Sequence, residues 1–225
     1  MRDDPSGYWT KALGFWDSTP LSRDDLRAVV RFFEESGAAR GRLAIAPWVL
    51  PKEWGVWIEE EGLGRAGGWS KFVCDVEDLK PGRTDLPIRE LVDGDLTQWA
   101  DLVRTQLLPA PDLSPMLAAA IAAPDVHVFG AFDGTELVGA AAVHLVGRSA
   151  SLNTAATRPE HRGRGVQSAL IAARANAARA AGCDLLVAET AAADDGTANG
   201  SQRNLERAGF RRLYDRPNWT WTAAA

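Results

Sequence analysis

Residues 157–170 have the sequence TRPEHRGRGVQSAL and connect an expected strand to an expected helix. Gly163 and Gly165 let the backbone turn tightly, because glycine has no Cβ to restrict its conformation. The first N–H groups of the following helix have no partner within that helix, and they lie at the positive end of its dipole. The segment therefore predicts an anion site, and it favours a phosphorylated ligand.

The charges of the segment support this interpretation. Arg158, Arg162 and Arg164 are opposed locally only by Glu160. No Lys-Ser/Thr pair follows the glycines, so the segment is not a P-loop, and the GxGxxG spacing of a dinucleotide-binding turn is absent. A different phosphate-bearing ligand is indicated, while a Gly-rich turn with solvated arginines is the alternative.

The segments on either side of the turn predict a mixed sheet with helices. The dipeptide Asp133-Gly134 predicts a hairpin of strands 126–132 and 136–146, and a third strand follows at 150–157. The other expected elements are strand 87–91, helix 96–107, helix 114–122, helix 166–181, strand 185–189, helix 201–208, and strand segments 210–214 and 218–221. The fold class is therefore α/β with a mixed sheet.

The composition of the chain changes near residue 84. Six of the nine tryptophans precede residue 70, and all four lysines precede residue 81. The polar, Pro- and Gly-containing segment 80–85 is typical of a domain boundary. We therefore expect one domain at residues 1–84 and a second at 85–225.

The first of these domains is expected to follow the order strand, helix, strand, helix, strand. Ser22 and Asp25 form a capping-box pattern, and apolar residues follow at helical spacing until Ser36-Gly37. The later elements are strand 42–47, helix 51–61 and strand 69–76.

Length and composition exclude several classes of protein. The 225 residues carry a formal net charge of −5, so a basic, backbone-binding nucleic-acid protein is not indicated. An apolar fraction of 46% is that of an ordinary globular protein. No apolar run is long enough to span a membrane, and residues 1–5 lack the apolar core of a signal peptide. We expect a cytoplasmic protein that binds neither nucleic acid nor membrane.

The two cysteines are expected to be small core residues. Cys74 and Cys183 lie in apolar segments without a CxxC spacing or a nearby pair of histidines. Neither a metal site nor a disulfide framework is predicted.

Two motifs carry a resemblance to a known family. The sequence RGRGVQ at 162–167, with Pro159 before it and Ala169-Leu170 after it, resembles the acyl-CoA-binding motif of the GNAT (GCN5-related) N-acetyltransferases, Arg/Gln-x-x-Gly-x-Gly/Ala. The sequence SQRNLERAGF at 201–210 resembles the next motif of that family, a short helix that ends in Gly-Phe. The resemblance covers about residues 85–222. Gln167 departs from the family, which usually has Gly or Ala there, and its side chain could donate a hydrogen bond instead.

This resemblance implies direct transfer of an acetyl group from acetyl-CoA to a primary amine of a small molecule or peptide. No covalent enzyme intermediate is involved. The turn amides would hold the pyrophosphate, the strand edge before the turn would pair with the pantetheine arm, and an N–H near Ala156 would face the thioester oxygen. The cofactor-binding residues implied are Ala155, Ala156, Thr157, Arg162, Gly163, Arg164, Gly165, Val166, Gln167, Ser201 and Asn204.

The general acid and base are less well indicated. Many relatives have a tyrosine, which protonates the departing thiolate, at the position of Leu205. Tyr214 is the best substitute for this tyrosine as a proton donor, and Ser201 is a weaker one. An equally good interpretation of Tyr214 is an aromatic residue of a half-buried strand. Glu189 and His144 are the candidate bases; the structural alternatives are a solvated strand end for Glu189 and a satisfied sheet histidine for His144.

The N-terminal part resembles a truncated, degenerate GNAT half without a cofactor turn. Its tryptophans, in particular Trp48, Trp54 and Trp57, form either ordinary core or an acceptor pocket. Whether Trp219 and Trp221 pack internally or against another subunit stays open, as does a homodimer.

The alternatives to an acetyltransferase are a non-catalytic acyl-CoA-binding module that regulates a partner and a transferase for longer acyl groups. The excess of acidic over basic residues, which gives a net charge of −5, favours a cationic acceptor.

Overall fold

A computed structural model describes residues 10–15, 19–80, 82–107, 114–192 and 199–223. These residues divide into two units. Unit 1 comprises the described residues within 1–70, 191–197 and 214–225, and unit 2 comprises those within 71–190 and 198–213. The units thus alternate along the chain, whereas the sequence predicted consecutive domains of residues 1–84 and 85–225. That division of the sequence stays a prediction.

Unit 1 has the predicted order of strands and helices. Its elements are β1 (Lys11–Phe15), α1 (Arg23–Glu35), β2 (Arg40–Ile45), α2 (Trp54–Glu60), the first part of β3 (Leu63–Asp75) and the last part of β9 (Arg211–Thr222). Strand β1 pairs with β2 in parallel, and β2 pairs with β9 in antiparallel orientation.

The capping box predicted for α1 is confirmed. The Ser22 N–H donates to the Asp25 carboxylate at 3.0 Å, and the Asp25 N–H donates to the Ser22 hydroxyl at 3.2 Å. The Ser22 hydroxyl also donates to the Asp25 carboxylate at 2.6 Å, and this bond, followed by the one from the Ser22 N–H, lowers the pKa of Asp25. The cap satisfies backbone donors that a helix start would otherwise leave unpaired.

Tryptophans form much of the core of unit 1. Trp221 stacks on Phe33 with ring centroids 5.9 Å apart, and Trp219 meets Trp54 edge to face at 5.4 Å. Both C-terminal tryptophans therefore pack internally, as does Trp54. Trp48 is 57% exposed, so it is not part of this core.

Two strands of the sheet are longer than the sequence predicted. Strand β3 begins at Leu63 rather than at residue 69, although it contains Gly67 and Gly68. A Cβ on Gly68 would lie 2.9 Å from the carbonyl oxygen of Arg216, so a glycine is needed for the close approach of two backbones. Strand β9 runs without interruption through Pro217, where the sequence predicted two segments.

Unit 2 contains the remaining elements and part of β3 and β9. They are β4 (Ile88–Glu90), α3 (Leu96–Gln106), α4 (Ser114–Ala122), β5 (Val126–Asp133), β6 (Glu136–Val146), β7 (Ser149–Thr157), α5 (Val166–Ala180), β8 (Leu185–Ala191) and α6 (Gly200–Arg207). The strand order is β3-β8-β7-β6-β5-β4. Strands β4 to β7 pair in antiparallel orientation and β7 pairs with β8 in parallel, which confirms the predicted mixed sheet.

The helices of unit 2 cover both faces of its sheet. Alternate residues of β6 belong to different apolar clusters: Ala141 and Val143 pack with residues of α5, and Ala140 and Ala142 pack with residues of α3 and α4. Both cysteines are buried free thiols in the α5-side cluster, as predicted. In the described part of the chain, no helix combines the length and the hydropathy that a membrane span requires.

An ion pair at the start of α3 yields a prediction about acid stability. Asp95 is 7% exposed, accepts two hydrogen bonds from Arg89 at 2.7 and 2.8 Å, and accepts the Val92 N–H at 3.0 Å. The Arg89 guanidinium, followed by the Val92 amide, lowers the pKa of Asp95. Because the folded-state pKa is the lower one, the stabilisation is present above the unfolded-state pKa and is lost as the pH falls through the folded-state pKa. We expect Asp95→Asn to lower the free energy of unfolding by about 2 kcal/mol at pH 7.

Urea unfolding at pH 7 and at pH values below the unfolded-state pKa of Asp95 measures this difference. The gap between wild type and Asp95→Asn is expected to shrink with acidification. Asp184→Asn is the control, because Asp184 forms an exposed pair with Arg148 that contributes little. An equal gap at every pH would contradict the assignment of the stabilisation to the Asp95 carboxylate.

Candidate functional site

Strands β7 and β8 separate partway along their length. They pair from Ser149 with Leu185 to Leu152 with Ala188, and in the described residues the pairing stops there. Strand β7 nevertheless continues to Thr157 and β8 to Ala191. The result is an opening between adjacent parallel strands at their carboxyl ends, a common place for ligands in α/β sheets. The strand edge there can pair with an extended ligand.

The turn from β7 into α5 lies at this end of the sheet. Gly163 and Gly165 have φ angles of +80° and +76°, in the left-handed region that favours glycine. Gly165 is the N-cap of α5, and no side chain of the described residues caps the helix. The amide groups at the start of α5 are therefore suited to an anionic ligand, as the sequence predicted.

Residues 82–84 pack against the first turn of α5. A Cβ on Gly165 would lie 2.1 Å from the carbonyl oxygen of Arg83, and a Cβ on Gly82 would lie 2.4 Å from the backbone of Ser168. A Cβ on Gly163 would meet no atom within 4 Å. Gly165 is thus required by close packing as well as by its φ angle, whereas Gly163 faces open space.

Arg164 is neutralised by two carboxylates. It pairs with Asp133 at 3.1 Å and with Asp85. The hydrogen bond from Arg164 is the largest cause of the lowered pKa of both carboxyls, and Asp85 and then Asp133 raise the pKa of Arg164. These pairs link the turn to the segment before β4 and to the β5-β6 hairpin.

Arg158 and Arg162 have different surroundings. Arg158 pairs with Asp101 at 3.3 Å and with Glu136 at 3.1 Å. Arg162 donates to the Gln106 side chain at 3.2 Å and to the Thr157 carbonyl at 3.4 Å. Among the described residues no carboxylate lies within ion-pair distance of Arg162. Of the three arginines of the turn, Arg162 is therefore the one whose charge is available to a phosphate.

Gln167 connects the first turn of α5 to the end of β7. Its side-chain amide donates to the Ala156 carbonyl at 3.0 Å and to the Thr157 hydroxyl at 2.6 Å. These bonds hold the first turn of α5 against the end of β7, and the cofactor-binding role of Gln167 stays a prediction.

Strand β7 has a bulge beside the opening. Ala140 pairs with Ala156 and Ala142 with Asn153, so two residues of β7, Thr154 and Ala155, lie opposite one residue of β6. Thr154 has a φ of +46°, and no other non-glycine residue in the described ranges has a positive φ. The bulge changes which side chains face α5, since Leu152 packs on the α5 side and Ala156 on the α3 and α4 side.

The two candidate bases lie on the sheet face opposite α5. Glu189 follows Ala188, the last residue that pairs with β7; it is exposed and forms an ion pair with Lys71. His144 is exposed on β6 in register with Ser151 of β7. The spacing of strands and residues places the Cα atoms of Glu189 and His144 about 12 Å apart. Only Glu189 lies where β8 leaves β7.

The hydroxyl candidates Tyr214 and Ser201 lie on β9 and α6. Tyr214 belongs to unit 1, where its ring meets Trp48 edge to face at 4.7 Å. Leu205, at the family's tyrosine position, is 7% exposed and packs with Phe210 in the α5-side core. Ser201 is exposed on α6, and Asn204 on the same helix accepts a hydrogen bond from Arg207. The cofactor roles of Ser201 and Asn204 stay predictions.

Sequence reasoning missed Arg174 and Lys71. Arg174 is buried, and it follows Leu170 and Ile171 at the helical spacing of core residues. An arginine at such a position was a visible signal. The ion pair of Lys71 with Glu189 had none, because it joins residues far apart in the chain. No cluster of potential metal ligands occurs in the ranges that the structure describes.

The fold and the site together define a class: an α/β domain with a mixed sheet, a split between two parallel strands and an anion-binding turn at the split. A family model described as "Acetyltransferase (GNAT) family" matches residues 95–210, just over half of the chain. The chain belongs to this family.

Solved structures show the same fold. A GCN5-related N-acetyltransferase from Kribbella flavida has a TM-score of 0.69 at 15% identity, with 98% of this chain and 85% of that chain covered. A tandem GNAT protein from the clavulanic acid biosynthesis pathway has a TM-score of 0.62 at 12% identity, covering 90% and 70%. The likeness therefore extends into the N-terminal half, as the sequence predicted.

A third structure is AAC(6')-Iy in complex with the bisubstrate analog CoA-S-monomethyl-acetylneamine. Its TM-score is 0.50 at 22% identity, and the match covers 57% of this chain and 92% of that chain. A search of curated proteins gave no match.

Proposed function

We propose that the protein transfers an acetyl group from acetyl-CoA directly to a primary amine of a small molecule or peptide. The observation that carries this proposal is the opening between β7 and β8, which ends at the glycine turn before α5. Acetyl-CoA has an extended pantetheine arm and a pyrophosphate, and the site offers a partner for each. The strand edge can pair with the arm, and the amides at the start of the helix can bind the phosphates.

The residues at the site fit this co-substrate. Gly163 faces open space, the amides that begin α5 have no side-chain cap, and Arg162 has no carboxylate beside it in the described structure. We propose that these groups hold the pyrophosphate. Arg164 would act indirectly, because its charge is already paired with Asp85 and Asp133. The edge at Ala155–Thr157 would pair with the pantetheine amides.

Acetyl-CoA would supply an activated acyl group: the amine nitrogen bonds to the thioester carbonyl carbon, the C–S bond breaks, and the amine loses one proton while the thiolate gains one. The protein has to accept a proton from the amine nitrogen, stabilise the developing charge on the carbonyl oxygen and orient the amine. We assign the first task to Glu189. A backbone N–H near Ala156 is proposed for the second.

The test measures binding and turnover in one preparation. We expect calorimetry to show binding of acetyl-CoA, and we expect thiol release that depends on an added amine from a panel of cationic small molecules and peptides. Absence of binding by the wild-type protein would contradict the proposal. Binding without thiol release for every amine would instead favour a non-catalytic acyl-CoA-binding protein.

A variant of Arg162 locates the phosphate contact. Arg162→Ala is expected to raise the Kd for acetyl-CoA about tenfold, because one charge-assisted contact to a phosphate is lost. Arg148→Ala is the matched control, since Arg148 is exposed in the β6-β7 turn and pairs with Asp184. An unchanged Kd for Arg162→Ala would place the phosphates elsewhere.

A further inference from the structure

Arg174 is a buried cation that has no acidic partner in the part of the chain that the structure describes. It lies on α5, is 3% exposed, and has no carboxylate within 4 Å among the residues described. Its Nε donates to the Leu170 carbonyl at 3.0 Å and its Nη1 to the Ala142 carbonyl at 3.2 Å, and Nη1 lies 3.5 Å from the Asn153 carbonyl. Burial lowers the pKa of its guanidinium to about 9.

Stability alone does not account for this residue. Removing a charge from water costs free energy, and here only neutral carbonyls offset the loss. Buried charged groups can often be replaced by apolar side chains of similar volume without loss of stability. A methionine on α5 would pack against the same cluster of apolar residues.

The position of Arg174 indicates another role. Ala142 and Asn153 are the last paired residues before the bulge of β7. Arg174 therefore contacts both strands at the point where Thr154 adopts its positive φ, a conformation that persists only where surrounding contacts hold it. Leu152, which precedes Asn153, is also the last residue of β7 that pairs with β8. The guanidinium thus lies at the beginning of the opening.

We propose that Arg174 is a positioning residue for acyl transfer: it holds the β7 bulge through the carbonyls of Ala142 and Asn153, and its charge favours the negative charge that develops on the thioester oxygen. This inference rests on the proposed function. Arg174 acts through the bulge backbone and through its field, without touching the acyl group. A fixed charge in a site that excludes water has a larger effect than the same charge in water.

Arg174→Met separates this role from a structural one. We expect kcat to fall about 10- to 100-fold, less than for loss of a direct oxyanion donor, with a Kd for acetyl-CoA within about threefold of wild type. The melting temperature should stay the same or rise, because an unpaired buried charge is removed. A variant that is less stable but has an unchanged kcat would overturn the proposal.

Two further variants complete the kinetic test. Arg179→Met is the control, since Arg179 is an exposed arginine of the same helix that donates to the Val76 carbonyl. If Arg174→Met does not fold, Arg174→Lys replaces it, because lysine keeps the charge but its ammonium cannot reproduce the planar fork that spans both carbonyls. We expect Arg174→Lys to lower kcat about tenfold, and a wild-type kcat would overturn the proposal.

A measurement without co-substrate distinguishes failure of this inference from failure of the proposed function. Amide hydrogen exchange at Thr154 and Ala155 should become about tenfold faster in Arg174→Met, while exchange in α1 of unit 1 stays the same. Unchanged exchange at the bulge would overturn the positioning role even if the wild-type enzyme is active. Faster exchange in a protein that does not bind acetyl-CoA would support the positioning role and contradict the proposed function.

Discussion

Replacing Gly165 by alanine is expected to raise the Kd for acetyl-CoA by at least about 100-fold, or about 2.7 kcal/mol. Two effects add at this residue. Its φ of +76° is unfavourable for any residue with a Cβ, and a Cβ would lie 2.1 Å from the carbonyl oxygen of Arg83. Backbone cannot yield at that distance as a flexible side chain would, so the turn or residues 82–84 must move. Either movement displaces the amides that we propose for the pyrophosphate.

Gly182→Ala is the matched control for this prediction. Gly182 follows the other end of α5, has a φ of +79°, and offers open space to a Cβ. It therefore reproduces the backbone strain without the collision, and we expect a modest loss of stability with unchanged binding of acetyl-CoA. Calorimetry on both folded variants is the measurement. A folded Gly165→Ala protein that binds as wild type does would exclude this turn as the phosphate site.

The turn could be predicted from sequence because its determinants are local. Gly163 and Gly165 require particular backbone angles, and the alanine-rich segment after them has few alternatives to a helix. The hairpin at Asp133-Gly134 and the capping box at Ser22 follow from the same kind of local rule. In each case the residues that decide the structure lie within a few positions of one another.

The parts that could not be predicted depend on contacts between distant residues. The pairing of Arg164 with Asp85 joins positions 79 residues apart, so no local pattern distinguishes the role of Arg164 from that of Arg162. The bulge of β7 is a property of two strands in register rather than of Thr154 alone. Strand β3 contains three glycines, and at one of them, Gly68, the neighbouring backbone approaches too closely for a Cβ. Local preference is overruled by packing in such places.

The position that carries tyrosine in many relatives is informative here. Leu205 is buried against the α5-side core, so a polar hydroxyl there would have to leave the core to reach a ligand. Under the proposed function, the departing thiolate would take its proton from another group or from water.

We expect Glu189→Gln to lower kcat about 10²- to 10⁴-fold while the Kd for acetyl-CoA stays within about threefold. Glu189 is the candidate base that lies where β8 leaves β7, and glutamine keeps its shape but cannot accept the proton of an ammonium. Because the phosphates and the pantetheine arm are assigned to the α5 turn and the β7 edge, binding should be preserved. Steady-state thiol release and calorimetry measure the two quantities separately.

Glu77→Gln is the control, because Glu77 is an exposed glutamate that pairs with Arg179 away from the opening. If the ion pair with Lys71 only holds β8 and β3 together, Glu189→Gln and Lys71→Met should lower stability equally and leave kcat intact, and the assignment of the base fails. If His144→Gln rather than Glu189→Gln removes activity, the acceptor lies over β6. The Cα atoms of the two residues are about 12 Å apart by strand spacing, and the pair of variants decides which of the two acts as the base.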